Sequence, residues 1–329
     1  MMTHGANEIH GRGTRQVLLT GASGTLGFNL ARLLAHDMRY HVVLPVRSML
    51  PCLSALGPQL EPVQLELCEQ NKVEELLLRV KTDVIIHCAA SGLRIPRESW
   101  LELVDFNVGA TLRLYESYCR SQASHFIHIS TGRVYLEQGR PIRESDPVGT
   151  LHPYAASKAA ADLLLQAAAL ESGRRLTIIR PFAFTGLMDF QPRLFPSLLH
   201  AAAARTPFPM TAGDQVRDFC AAEDIARAII LCMNRSLDAQ IEKFNLGGGV
   251  PMTVRQWIET VCADLDLPVQ VQFGQIAGPP HDSMHLVADV EAAKNELGWH
   301  PTTRLSYAVW ELAREIAPEL SLRKPECSL

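Results

Sequence analysis

Tyr154 and Lys158 stand four residues apart in the segment YAASK (residues 154–158). The stretch around them is rich in alanine and leucine and reads as a helix, so the phenol and the ammonium share one face. A free tyrosine titrates near 10, and working near neutrality needs roughly three units of lowering, about 4 kcal/mol of differential stabilisation. An adjacent cation pushes in that direction. Such a pair can pass a proton to or from an oxygen whose carbon is being reduced or oxidised. Ser130 and Thr131 follow the apolar run of residues 126–129 and offer hydroxyls to hydrogen-bond the same oxygen.

A second motif supplies what a proton donor alone lacks. TGASGTLG (residues 20–27) places Gly21, Gly24 and Gly27 between an apolar run and a helical pattern. Glycine permits positive φ and lets the backbone come close to a ligand. The helix end that follows offers unpaired N–H groups and a partial positive charge to a pyrophosphate. The spacing is G-x-x-G-x-x-G rather than G-x-G-x-x-G. Gly21, Ser23, Gly24, Thr25, Leu26 and Gly27 are the candidates for holding a dinucleotide there. Redox chemistry on a nicotinamide follows from the two motifs together.

The second strand ends Leu44-Pro45-Val46-Arg47-Ser48 with no carboxylate for a ribose 2′-OH. Arg47 can pair with a 2′-phosphate and Ser48 can add a hydrogen bond, so NADP(H) is expected, with NAD as the alternative. A charge-assisted hydrogen bond is worth roughly 1.5–3 kcal/mol, about one to two decades of preference.

These groups need a scaffold. Residues 16–19, 41–46, 63–65, 83–87, 126–129 and 176–179 read as strands, and residues 26–35, 72–80, 104–119 and 154–171 as helices. The alternation implies a parallel sheet covered on both faces. The expected fold class is therefore α/β, a doubly wound parallel Rossmann sheet. Residues 221–233 and 244–246 return to the sheet. After Pro181 prolines cluster, at positions 192, 196, 207 and 209 and again at 279, 280 and 301, which predicts a smaller C-terminal substrate lobe. The expected division is residues 14–186 with about 216–247 for the dinucleotide-binding domain, and about 187–215 with 248–329 for the lobe. Leu67, past the third strand, and Ala89 and Ala90, past the fourth, complete the cofactor set.

Composition narrows the classes. The 329 residues carry a net charge of −4, with 47% hydrophobic and 20% charged residues, so no basic field attracts nucleic acid or a membrane surface. The eight cysteines form no Cys-x-x-Cys pair and are expected to be reduced. Residues 1–13 are polar, lack an apolar signal core and read as a loose leader. No uncharged apolar run reaches about 18 residues, so no membrane span is predicted and the cytoplasm is expected. His87, His125 and His128 lack a zinc spacing, and His281 and His285 lie in a Pro-Gly-rich stretch, so no metal is expected.

The order of glycine turn, hydroxyl strand end and Tyr-x-x-x-Lys resembles the extended short-chain dehydrogenase/reductase family over most of the chain. TGASGTLG is similar to its cofactor turn, DVIIHCAA to its fourth strand, FNVGAT to the segment with its active-site asparagine, here Asn107, and ISTGRVY to its hydroxyl segment. The resemblance implies that Thr131, with Ser130 beside it, and Tyr154 are catalytic. It further implies that Lys158 binds the nicotinamide ribose, and that Pro181 and Phe182 in RPFAFTG touch the nicotinamide. The later segments AGDQVRDFCAAEDIARAI, FNLGGG and ADVEAAKNELGWHP resemble the nucleotide-sugar branch, whose diphosphate-binding arginine is Arg217 here. A homodimer formed through residues 104–119 and 154–171 is implied as well.

Within that branch the 4,6-dehydratases carry Asp-Glu after the catalytic threonine, where this chain has Gly132-Arg133. A 4-keto-sugar reductase or a 4-epimerase remains, and Arg47 favours the reductase. RPF also resembles the opening of the RPFN loop in GDP-4-keto-6-deoxymannose reductases. Ala183 stands where the branch usually has a substrate-binding asparagine, which leaves open a non-sugar ketone, and Arg94 and Arg97 can supply charge instead. A non-catalytic dinucleotide sensor on the same fold is the alternative of a different class.

Overall fold

Seven runs rich in Val, Ile and Leu pair into one sheet: β1 (Arg15–Thr20), β2 (Tyr40–Val46), β3 (Leu60–Gln64), β4 (Val84–His87), β5 (His125–Ile129), β6 (Leu176–Pro181) and β7 (Ile241–Leu246). The computed structural model describes residues 14–92, 99–150, 152–235, 239–278 and 282–329. Their order across the sheet is β3-β2-β1-β4-β5-β6-β7, and every neighbouring pair is parallel. The chain runs outward from β1 to β3, then restarts at β4 on the other side of β1. That reversal opens a crevice past the carboxyl ends of β1 and β4.

Side chains alternate across the sheet with a period of two. Val17, Leu19, Val42, Leu44, Val84, Ile86, Ile127 and Ile129 enter one core, while Leu18, Val43, Ile85, Phe126 and Ile178 enter the other. Eleven α-helices are described: α1 (Thr25–Leu34), α2 (Pro51–Ala55), α3 (Gln70–Val80), α4 (Trp100–Val104), α5 (Thr111–Arg120), α6 (Pro153–Ser172), α7 (Leu194–Ala204), α8 (Ala222–Asn234), α9 (Val254–Leu265), α10 (Glu291–Leu297) and α11 (Leu305–Ile316). The first core packs α1, α8 and α10 on the sheet, and the second packs α3, α5 and α6. A third core joins α7, α9 and α11 through Phe195, Leu198, Ile258, Val261, Leu305 and Leu312, and forms the C-terminal lobe.

Three elements differ from the sequence reading. The helix expected over residues 104–119 starts at Trp100 and passes through a π-helical turn, Asp105–Ala110, before α5. Single π turns often mark functional sites, and this one carries Asn107. Residues 221–233 return to the sheet as a covering helix, α8, while residues 244–246 are the end of the seventh strand. The third strand is longer than read, because Leu60–Gln64 pairs residue by residue with Val42–Val46.

Candidate active site

The glycine turn joins β1 to α1. Gly21 has φ +76°, and a Cβ there would lie 2.6 Å from the Ala89 backbone nitrogen. Gly27 admits no side chain either, since a Cβ would meet the Gly21 carbonyl oxygen at 2.2 Å. Gly24 is different: a Cβ would make only an ordinary 3.5 Å contact with Gly21, so the fold itself does not require glycine. Its bareness suits a ligand that approaches the backbone. Gly24 caps α1 without any side-chain hydrogen bond, which leaves the N–H groups of the first turn for an anion. A dinucleotide pyrophosphate fits this cradle.

Past β2, Arg47 and Ser48 are exposed, and Gln64 Nε2 donates to the Arg47 carbonyl (3.2 Å). Leu67 is buried in the second core, and Ala89 donates its N–H to Thr20 Oγ1 (3.3 Å). Ala90 is exposed past β4. Asn107 works as a strut: its Oδ1 accepts from the Ser91 N–H (2.8 Å), and its Nδ2 donates to the Ser91 carbonyl and to Ser157 Oγ, each at 2.9 Å. The π turn thereby fastens the segment after β4 to α6, next to Lys158.

Pro153 opens α6, which sets Tyr154 at its first turn and Lys158 one turn on. Both are buried. Burial pushes the Tyr154 phenol up to about 12, opposed by the charges of Arg193 and Arg133. Burial brings the Lys158 ammonium down to about 8, opposed by Asp162 and by Cys88. Thr131 caps the short 3-10 turn Gly132–Val134, its Oγ1 accepting from the Arg133 N–H (3.3 Å). Ser130 turns away from that hydroxyl: its Oγ donates to Asp162 Oδ2 (2.8 Å). The structure thus gives the two neighbouring hydroxyls different partners.

A buried polar chain stands behind this pair. Lys158 Nζ lies 3.3 Å from His128 Nε2, which lies 3.5 Å from Asp162 Oδ1. Arg180 donates to Asp162 Oδ2 through Nε (3.1 Å) and to the Tyr135 hydroxyl through Nη1 (2.6 Å), and that hydroxyl donates to Asn245 Oδ1 (2.9 Å). His87 stacks on His128 with ring centres 5.6 Å apart and shares hydrogen bonds with Thr20 and Thr111. Burial lowers His87 to about 3 and His128 well below its ordinary value, so both rings are neutral at pH 7. His125 bonds Thr177 at the far end of β5. No group of metal-ligating residues forms among the described residues.

Arginines line the open side. Arg217 is buried, with its guanidinium on Asp282 (3.1 Å) and on its own neighbour's carbonyl, Val216 (2.8 Å). Arg133 approaches the same carboxylate at 3.9 Å. Arg193, at the cap of α7, bonds Asp189 (2.6 Å) and reaches Thr25 Oγ1 in the glycine turn (3.2 Å). Ala183 gives its carbonyl to the Cys220 N–H (2.9 Å). Arg94, Arg97 and His281 lie outside the described residues.

Gly132 has a structural cause. A Cβ there would lie 2.5–2.7 Å from three carbons of the Phe182 ring, which also stacks on Tyr135 with centres 6.3 Å apart. Phe182 thus covers the position next to Thr131. Pro181, which closes β6 ahead of it, is buried. Nothing local in the sequence points to His128, Arg180, Arg193 and Asp282 in these roles. Asp162 did carry a signal, four residues beyond Lys158 on the same helical face.

A doubly wound parallel sheet, a glycine turn at its switch point and a Tyr-x-x-x-Lys helix beside it define an extended short-chain dehydrogenase/reductase. The family model described as the NAD dependent epimerase/dehydratase family matches residues 17–247, and the chain belongs to that family. Among curated relatives, a dTDP-glucose 4,6-dehydratase of Neisseria gonorrhoeae is 27% identical over 323 residues, covering 88% of this chain and 92% of that one. A UDP-glucose 4-epimerase of Streptomyces lividans is 29% identical over 244 residues, covering 68% and 72%. The solved UDP-glucuronic acid 4-epimerase of Bacillus cereus, in complex with UDP-glucuronic acid and NAD, superposes with a TM-score of 0.81 at 23% identity, covering 93% of this chain and all of that one (100%). The family places the chain in the nucleotide-sugar branch, as an enzyme that uses a nicotinamide dinucleotide.

Proposed function

We propose that this enzyme oxidises and reduces C4 of a nucleotide-activated sugar, most simply as a 4-epimerase. The observation that carries the reading is the buried Tyr154–Lys158 pair, with the charges of Arg133 and Arg193 reaching the phenol and Phe182 seated on Gly132 beside Thr131. A dehydratase needs a carboxyl group where that ring lies, which speaks against elimination despite the resemblance to 4,6-dehydratases.

The nicotinamide, when bound, takes up and returns the hydride. Tyr154 takes the proton of the sugar hydroxyl during oxidation and gives it back during reduction. The Lys158 ammonium stabilises the phenolate and holds the cofactor ribose. Thr131 hydrogen-bonds the reacting oxygen, and Ser130 steadies Asp162. Arg217 grips the diphosphate, to which a guanidinium fork is suited. Gly21, Ser23, Gly24, Thr25, Leu26 and Gly27 hold the cofactor phosphates.

A 4-keto-sugar reductase using NADP(H) is the second reading, favoured by Arg47 and Ser48 at the end of β2 with no carboxylate beside them. One assay separates the two. The purified protein with UDP- and dTDP-hexoses and no added cofactor interconverts them if it is an epimerase. Consumption of NADPH only with 4-keto sugars marks a reductase. Binding of dinucleotide with neither reaction overturns both and leaves a sensor. In the reductase case Arg47→Ala lowers NADPH affinity about ten- to a hundredfold more than NADH affinity.

We also propose a homodimer in the cytoplasm. Trp100, Leu101 and Val104 on the α4 side and Leu163, Leu164 and Leu170 on α6 are all exposed apolar side chains. Exposed apolar side chains gathered on two neighbouring helices fit a surface covered by a second copy. Light scattering on a Leu163→Glu variant tests it, with loss of the dimer expected.

A further inference from the structure

Tyr154, Lys158 and Asp162 succeed one another at intervals of four on α6, so they share a face. Lys158 therefore has two directions open to it: the Tyr154 oxygen one turn back, or the Asp162 carboxylate one turn forward. At neutral pH the phenol is uncharged, and the carboxylate is the stronger attractor. Yet no direct Lys158–Asp162 ion pair forms among the described residues. The His128 imidazole stands between, its Nε2 3.3 Å from Lys158 Nζ and 3.5 Å from Asp162 Oδ1. Asp162 is itself anchored, since Oδ2 takes Ser130 (2.8 Å) and Arg180 (3.0 Å). The ring is held by stacking on His87, which Thr20 and Thr111 fix from either end.

We propose that His128 is a positioning residue: in its Nδ1–H form it accepts from the Lys158 ammonium and walls it off from Asp162, so that the charge stays on the Tyr154 side of the helix. An ammonium only donates, so Nε2 must present its lone pair and the proton must sit on Nδ1. That Nδ1 is buried and has no hydrogen-bond partner among the described residues. Buried rings rarely leave a nitrogen unpaired. Asp162 Oδ1, 3.5 Å from Nε2, has no hydrogen-bond partner among the described residues either, and in this form the ring gives it no proton. The charged and titratable groups facing this pair are His87 and Cys88 from the β4 side, Arg180 from β6, and Asp162 from α6 itself. Burial keeps His128 neutral and Lys158 close to release of its proton.

The inference rests on the reading of Tyr154 and Lys158 as the acid–base pair, and three variants with one spectrum test it. His128→Gln fills the space and keeps an acceptor, His128→Leu only fills the space, and His128→Ala does neither. Turnover of the Gln variant stays within about threefold of the parent, that of the Leu variant falls about tenfold, and that of the Ala variant falls further, toward a hundredfold, the range for a lost hydrogen bond to a charge. In the Leu variant the alkaline limb of the kcat profile moves to lower pH, because an ammonium without its acceptor gives up its proton sooner. The Ala variant also binds NAD(H) or NADP(H) more weakly in a titration without turnover. Leu and Ala variants that fold and keep the parent's pH profile and cofactor affinity overturn the proposal. So does 15N NMR of histidine-labelled parent protein at pH 7 if it finds His128 in the Nε2–H form. That spectrum decides the question even if the protein turns over no sugar, which would sink only the functional reading.

Discussion

The two sides of α6 manage their positive charge differently. Toward the sheet, Lys158 and Arg180 stand against Asp162 alone, all three buried. Toward the cleft, Arg133, Arg193 and Arg217 stand against Asp189 and Asp282. The buried charge sits in a poor dielectric, so it is labile: burial brings Lys158 to about 8. The cleft charge includes Arg133 and Arg193, whose side chains remain 46% and 35% exposed, and arginine keeps its proton. Chemistry that depends on the first should respond to pH, and binding that depends on the second should respond to salt.

The most severe way to break the comparison is Tyr154→Phe. It removes the group that the buried charge serves and leaves the cleft alone. Turnover drops by about 10²–10⁴, the range for an acid–base group. Dinucleotide and nucleoside diphosphate affinities, read by calorimetry, stay within about threefold, less than one good hydrogen bond is worth. Undiminished turnover removes Tyr154 from the mechanism.

Arg217→Gln breaks the other side. UDP or dTDP affinity falls about ten- to a hundredfold and loses part of its salt dependence, while kcat with saturating substrate changes little. Arg133→Gln, at an exposed and distant 3.9 Å from Asp282, gives a smaller loss in the same direction. An Arg133 effect equal to or larger than that of Arg217 reverses their assigned weights.

Gly132→Ala sharpens the boundary between the two sides, since Phe182 lies across it. The added methyl meets the ring at 2.5–2.7 Å, an overpacking of about 1–3 kcal/mol. Urea unfolding measures the loss. Phe182→Ala in the same chain should recover most of it, because contacting residues are not additive. A Gly132→Ala protein as stable as the parent removes the ring as the reason for the glycine.

How much of this was legible depended on whether a signal was local. The sheet, its doubly wound order, the glycine turn and the Tyr-x-x-x-Lys face follow from periodicity and short spacings, and the sequence carries them. Asp162 was within reach of the same reasoning. His128 was weighed only as a metal ligand, because nothing in a single strand reveals that a lysine from a helix 30 residues on ends at its ring. Asp282 meets Arg217 across 65 residues, and Phe182 meets Gly132 across the gap between two strand ends. Such contacts come from sheet order and lobe packing, which no local pattern encodes. The π turn at Asn107 was hidden for a different reason: its residues keep a helical period, and the extra residue shows only in the backbone hydrogen bonding.

A buried acid on the cleft side gives the last and most exact test. Asp218, adjacent to Arg217, is fully buried; its Oδ2 accepts from the Ala288 N–H (3.0 Å) and the Gly249 N–H (3.4 Å), and Oδ1 has no partner among the described residues. Burial pushes its carboxyl from 3.8 up to about 7, against those backbone donors and the Arg217 charge. A carboxyl raised on folding favours the native state while it is protonated. That contribution is complete below 3.8 and is lost as pH rises toward 7. Asp218→Asn cannot ionise but keeps an accepting oxygen, so its stability escapes that loss. The buried neutral histidines work the other way: His87 and His125, lowered to about 3, withdraw stability as pH falls below 6.5. They act equally in parent and variant and cancel in the difference. The two melting curves should therefore agree near pH 4 and separate as pH rises to 7, the variant ending several degrees higher, since a carboxyl moved from 3.8 to about 7 is worth roughly 4 kcal/mol across that window. Differential scanning calorimetry in steps of half a pH unit reads the divergence. Parallel curves across that window would place Asp218 ionised in the folded protein and put the cleft's buried charge on the same footing as its exposed ones.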